Sequence, residues 1–159
     1  MKITFIRPDP PKETIGLQHL MIVEPLELEI LATLVEKEHE VEIFDMILER
    51  ESFETIITKS NPDILCFTGY ITHIPAIINH CKHAKGVLPS VHTIVGGVHI
   101  EKYPEDINSD FIDYRVVRNA TKTFPALISH INGTGDFPAG VLKNNEGFDD
   151  IRMPDKIEQ

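Results

Sequence analysis

Cysteine is scarce in this 159-residue chain, where Cys66 and Cys81 are the whole complement. Two thiols with no sign of secretion argue against a disulfide framework. Cys66 lies in the apolar run Ile64 to Phe67 and reads as a small core residue. Basic excess is lacking too. Lys and Arg number 15 against 25 Asp and Glu, a formal net charge of -10. Such a chain repels a phosphate backbone, so neither nucleic acid nor an anionic membrane surface is an expected partner. No apolar run approaches the roughly 20 residues of a membrane span. The opening stretch MKITFIRPDPPKE has no long apolar core of the kind a signal peptide needs. A cytoplasmic protein is expected.

Several ligand motifs are also missing. No Gly-x-Gly-x-x-Gly follows the first strand-like run, and no Gly-x-x-x-x-Gly-Lys-[Ser/Thr] occurs, which excludes a dinucleotide fingerprint and a P-loop. The Ser/Thr-rich phosphate loop of flavodoxins belongs after strand 1, where this chain has Pro8, Pro10 and Pro11. A phosphorelay receiver needs aspartate at the end of strand 3, and Thr68 stands there. No nucleophile–base pair is identifiable, so no catalytic residue is assigned. His80 and His83 lie one helical turn apart with Cys81 between them. Cys81 falls on the apolar helix face, and no metal site is expected.

What the chain does contain is alternation. Strand-like runs occur at Ile3 to Ile6, Val41 to Phe44, Ile64 to Phe67, Thr93 to Val95 and Tyr114 to Val117. Helical patterns separate them. Pro25 opens one, with Leu28, Leu31 and Val35 on a face and Ile30 and Leu34 beside it. Ser52 is placed to cap a second, with Phe53, Ile56 and Ile57 inward. Thr72 is expected to cap a third, whose Ile74, Ile77, Ile78 and Cys81 share a stripe and which Gly86 would end. A short fourth helix is expected from Tyr103-Pro104. Thr121 is expected to cap a fifth, with Phe124, Leu127, Ile128 and Ile131 in register and Gly133 as its stop. Five such units give an α/β, flavodoxin-like, doubly wound parallel sheet of order 2-1-3-4-5. The expected division is a domain over 1–133 and a hairpin-like extension and linker over 134–159. After Pro154 the tail is polar and expected to be loose.

That strand order brings the loops after strands 1, 3, 4 and 5 to one edge, around a switch point between strands 1 and 3. Thr68-Gly69-Tyr70-Ile71-Thr72 follows strand 3 directly, two hydroxyls flanking a glycine that lets a ligand approach the backbone. Taken alone it also reads as a plain turn with a cap. Gly96-Gly97-Val98-His99 follows strand 4, and two glycines there remove side chains that would block a flat or extended ligand. Alone, Gly-Gly is common in turns, and a histidine at 99 is more often a surface loop residue. Arg118 and Asn119 follow strand 5 near a helix start, where an arginine holds phosphate or amide groups or is simply solvated.

Together these segments resemble the cobalamin-binding domain found at the N-terminus of cobalamin-dependent radical SAM enzymes, over about Met1 to Gly133. The resemblance is carried by Ile15-Gly16-Leu17-Gln18, Glu24-Pro25-Leu26-Glu27-Leu28-Glu29, Val41 to Asp45, the Thr68 segment, and Gly96-Gly97-Val98-His99 with Pro104-Glu105. There are departures. The Asp-x-His-x-x-Gly of mutases, whose histidine ligates cobalt, is absent, since Asp9 is followed by Pro10 and Pro11. An acidic Gly-Glu-Gly-Glu run common after strand 5 is replaced by Val117-Arg118-Asn119-Ala120. The resemblance implies base-off cobalamin, its dimethylbenzimidazole tail in a slot between strands, held by residues 68–72, 96–99, 118 and 119. It leaves open whether Tyr70, His73, water or nothing faces the lower side of the corrin.

It further implies a radical SAM domain in the same polypeptide, with S-adenosylmethionine and an iron–sulfur cluster, acting as a methyltransferase or cyclase. Such a domain needs Cys-x-x-x-Cys-x-x-Cys, which this chain lacks, so an excised N-terminal domain or a stand-alone relative is expected, with the Pro154-Asp155 tail as linker. The competing expectations are a cofactor-free flavodoxin-like interaction or regulatory module, and an enzyme using a nucleotide or SAM in the same crevice.

Overall fold

In the computed structural model, residues 1–9, 24–144, 146 and 147 are described. The loop expected after strand 1 lies outside them from residue 10 onward, as does the tail from Phe148 with its expected linker.

Five parallel strands form the sheet: β1 (Lys2–Arg7), β2 (Glu40–Asp45), β3 (Ile64–Thr68), β4 (His92–Gly96) and β5 (Tyr114–Val116). The helices are α1 (Leu26–Val35), α2 (Phe53–Ser60), α3 (Ile74–Val87), α4 (Val98–Lys102) and α5 (Ala120–Ile131). A sixth strand, β6 (Val141–Lys143), pairs antiparallel with β5, and the full order is β2-β1-β3-β4-β5-β6. The first five stand in the order the alternation implies. The extension expected to resemble a hairpin instead lends its strand to the sheet edge.

Strand alternation assigns the faces. Ile3 and Phe5 of β1, Ile64 and Cys66 of β3, and Ile94 of β4 pack beneath α1 and α5 with Leu28, Ala32, Val35, Phe124, Leu127 and Ile128. Ile6, Leu65, Phe67 and Val95 point the other way, into a core completed by Phe53, Ile56, Ile57, Ile77, Cys81 and Ile100 from α2, α3 and α4. β3 is buried on both faces, which is why its sequence is apolar without a break. Both cysteines are free and buried, as Cys66 was expected to be.

Local chemistry sets the element boundaries. The Ser52 hydroxyl accepts the Thr55 N–H at 3.3 Å and caps α2. Thr72 does not cap α3. It sits exposed in a 3₁₀ turn, Ile71–His73, and α3 starts at Ile74, with Pro75 in the first turn where a missing N–H leaves no bond unmade. α3 also runs one residue past Gly86, to Val87, and Gly86 has no need of a left-handed backbone there. Gly97 adopts φ +121° and turns the chain sharply, so the fourth helix begins at Val98 and not at Tyr103. Pro104 cannot continue it and starts a separate 3₁₀ turn, Pro104–Ile107. Thr121 is not the cap of α5. Asn119 takes the left-handed conformation at φ 44° and starts the helix at Ala120, while the Thr121 hydroxyl donates to Asn119 Oδ1 at 3.2 Å.

Arg115 on β5 is the largest fully buried side chain. Its guanidinium donates to the carbonyls of Pro104 and Lys143, each at 2.9 Å, and of Glu146. One cation thus ties the β4–β5 connection to the end of β6.

Candidate binding cleft

At the carboxyl edge of the sheet, α1 and α5 flank a slot of about 200 Å³. Its floor is the α1/α5 face of the strands: Phe5, Cys66, Ile94 and Val116. Leu28, Ile30 and Leu31 line it from α1, and Ala120, Thr121 and Phe124 from α5. Thr68, Gly96 and Gly97 stand at its mouth. Thr68 and Gly96 are direct partners across β3 and β4, so the polar rim is fixed by strand register.

The two glycines do different things. A Cβ on Gly96 would meet only Val116, at 3.7 Å, which is ordinary contact. The missing side chain there is space belonging to the slot. Gly97 is needed by the backbone itself, because its φ of +121° suits only glycine and a Cβ would sit 3.1 Å from Thr68 Oγ1 and 3.2 Å from the Gly69 carbonyl oxygen.

A second cleft of about 210 Å³ shares Glu27, Thr68 and Gly97 with the slot and adds Arg7, Gly69, Tyr70, His73 and Val98. It is the polar half of the site. Arg7 binds the buried Asp45 at the end of β2, with Nε donating to Oδ1 at 2.8 Å and Nη2 to Oδ2. Asp9, just past β1, has its carboxyl raised above the usual range by burial and by the nearby Asp45 charge. His73 is held below the usual histidine value by burial and by Arg7. In the slot floor, burial pushes the Cys66 thiol well up, so that surface stays neutral.

The residues expected at the site fall into groups. Thr68, Gly96 and Gly97 line the slot, and Thr68, Gly69, Tyr70, Gly97 and Val98 line the polar cleft. Ile71 and Thr72 are exposed on the neighbouring turn and line neither. The His99 ring points away to Asp106, with Nε2 to Oδ2 at 2.8 Å, and packs on Tyr103. Arg118 opens onto a different depression, with Glu101, Lys102 and Tyr103. Asn119 shapes the turn, while Ala120 and Thr121 from the same loop reach the slot.

Sequence reasoning did not name the walls contributed by α1 and α5, or the Arg7–Asp45 pair. Ile30, an apolar residue beside the buried α1 stripe that stays exposed and lines the slot, was the available signal. His80 packs against Phe53, ring centroids 4.0 Å apart, and lies parallel to Phe67. Among the described residues no three metal-ligating side chains converge, and no helix is long and apolar enough to cross a membrane. The arrangement suits holding a flat ligand: an apolar slot for one part and a polar cleft beside it for another.

Known proteins resemble this chain in sequence and in fold. The B12 binding domain family model matches residues 14–128. The hopanoid C-3 methylase of Methylococcus capsulatus is 31% identical over 100 residues, which is 61% of this chain and 19% of that protein. An uncharacterized methyltransferase of Pyrococcus horikoshii is 34% identical over 84 residues, 51% of this chain and 18% of that one. Among solved structures, the cobalamin-dependent S-adenosylmethionine radical enzyme OxsB with aqua-cobalamin bound superposes with TM-score 0.68 at 16% identity, over 88% of this chain and 20% of that one. Its complex with aqua-cobalamin and S-adenosylmethionine gives 0.69 at 16% identity, over 90% and 22%. The chain therefore spans about a fifth of the length of these relatives.

Proposed function

The chain belongs to the B12 binding domain family, and from that premise we propose that it holds base-off cobalamin at the carboxyl ends of β1, β3, β4 and β5, as one module of a radical SAM methyltransferase or cyclase. The nucleotide tail lies in the slot between α1 and α5, and the corrin lies over the polar cleft. The observation that carries this reading is the slot itself. It is apolar on floor and walls, it opens at the switch point, and the absent side chain of Gly96 leaves its mouth clear.

This chain's residues do the holding. Phe5, Ile94 and Phe124 offer apolar surface to a flat heteroaromatic group. Thr68 presents a hydroxyl at the mouth, and Gly69 and Gly97 let the two loops pack closely enough to hold that hydroxyl and the cleft beside it in place. When bound, the corrinoid supplies a cobalt centre able to carry a methyl group, and position and access come from the protein. No acid, base or nucleophile of this chain is assigned a chemical step. The relatives' length supports a reading in which SAM and an iron–sulfur cluster belong to a further domain of the polypeptide.

The test is retention of hydroxocobalamin through gel filtration, under both oxidising and reducing conditions, with a visible spectrum shifted from the free form. Gly96→Phe fills the slot and is expected to lose retention while its thermal midpoint changes little. A folded Gly96→Phe protein that retains the corrinoid refutes the slot. An unmodified protein that retains none refutes cobalamin binding and favours a cofactor-free module.

A further inference from the structure

The connection between β3 and α3 is built around His73. The Tyr70 backbone N–H donates to His73 Nδ1 at 2.9 Å, and the His73 backbone N–H donates to the Tyr70 carbonyl at 2.9 Å. The same two residues close the turn twice. Gly69 makes room for this, since a Cβ there would lie 2.9 Å from His73 Cβ and 3.0 Å from Ile77 Cδ1. His73 is half-buried and lines the polar cleft beside Arg7, Glu27, Thr68 and Tyr70.

That geometry fixes where the ring proton sits. A nitrogen accepting an N–H bond has spent its lone pair and carries no proton, so in a neutral ring the proton is on Nε2. The surroundings oppose a second proton. Burial is the larger influence and the Arg7 guanidinium the smaller. The Arg7 charge is itself shared with Asp45, and Glu27 faces the same cleft from the first turn of α1.

We infer that His73 serves the bound corrinoid as a neutral Nε2–H donor to one of its oxygen acceptors, and is not a nitrogen ligand to cobalt. The inference rests on the corrinoid reading above. Neither ring nitrogen has a free lone pair for a metal, one being taken by the Tyr70 N–H and the other by its own proton. Ligation would require the turn to open or a neutral imidazole to lose its last proton. Hydrogen-bond donation requires neither.

The experiment has two parts. In the free protein, ¹⁵N-histidine NMR at pH 7 is expected to show His73 protonated on Nε2 alone. In the loaded protein, the EPR spectrum of cob(II)alamin is expected to be the same with ¹⁴N- and ¹⁵N-labelled histidine. His73→Asn separates the two roles of the ring. Its carboxamide oxygen stands where Nδ1 stands and keeps the Tyr70 N–H partner, while the Nε2 donor is gone. One lost hydrogen bond predicts a dissociation constant for hydroxocobalamin weaker by roughly three- to tenfold, at an unchanged thermal midpoint.

A ring protonated on Nδ1 or on both nitrogens overturns the inference. So does a cobalt signal whose splitting depends on the histidine label and vanishes in His73→Asn, or a His73→Asn protein that binds as tightly as the original. If the unmodified protein retains no corrinoid, the reading beneath falls and the proposed acceptor with it. The NMR result then still decides the tautomer separately.

Discussion

Adjacent glycines at 96 and 97 carry opposite consequences for substitution. Gly97 occupies a backbone region closed to other residues, with Thr68 Oγ1 and the Gly69 backbone packed against its missing Cβ. Gly97→Ala is expected to cost about 1–3 kcal/mol in urea denaturation. Gly96 has an unexceptional backbone and room for a methyl group, so Gly96→Ala is expected within about 0.5 kcal/mol of the original. Equal losses at the two positions would show that Gly97 is not strained as described. From sequence the pair reads as one feature, because the dipeptide does not reveal which residue holds the turn and which one leaves space.

Between elements, the packing of α3 on α2 and β3 half-buries a titratable ring. His80 sits against Phe53 and Phe67, and its pKa is lowered mainly by burial, with Glu54 opposing and His83 assisting. Below about pH 6.5 the unfolded chain takes up a proton that the folded one resists, so stability falls as pH drops from there toward the folded-state value. It is fully present above that window. His73, also lowered, acts in the same direction. The urea midpoint should therefore fall between pH 7.5 and pH 5.5, and His80→Leu should shrink the fall. An undiminished fall in His80→Leu would assign the pH dependence elsewhere. The α3 stripe Ile74, Ile77, Ile78 and Cys81 is legible from its spacing, whereas the start of that helix is not. Thr72 has the right chemistry for a cap, but the 3₁₀ turn held by Tyr70 and His73 takes its place.

At the scale of the whole molecule, the sheet is closed on the β5 side by residues distant from it in sequence. Val141 and Leu142 are buried, and Gly140, at φ +88°, lets its carbonyl accept the N–H groups of Val117 and Arg118. Ending the chain after Ala139 removes two buried side chains at about 1.5–3 kcal/mol each and bares the β5 edge. A fall of about 10 °C or more in the thermal midpoint is expected, read by circular dichroism. Arg115→Met leaves three carbonyls without their buried donor and should cost about 2–4 kcal/mol. If either change is silent, β6 is an ornament on the sheet and not part of its support.

The sequence by itself determined the alternation of strands and helices, the order of the five parallel strands, the burial of Cys66, and the loops that meet at the carboxyl edge. The alternation follows from local periodicity written in consecutive residues, and the order and its shared edge from the five-unit doubly wound pattern that alternation matches. Only the tertiary structure decided that Leu28, Ile30 and Leu31 face Ala120, Thr121 and Phe124 across a slot, that Arg118 and His99 turn away from it, and that β6 joins the sheet. The reason is physical. A helix pattern records which side is buried, but a cleft exists where two helices some ninety residues apart in the chain (26–35 and 120–131) flank one part of the sheet without covering it. The glycine pair marks the mouth of that cleft, and the fold supplies its walls.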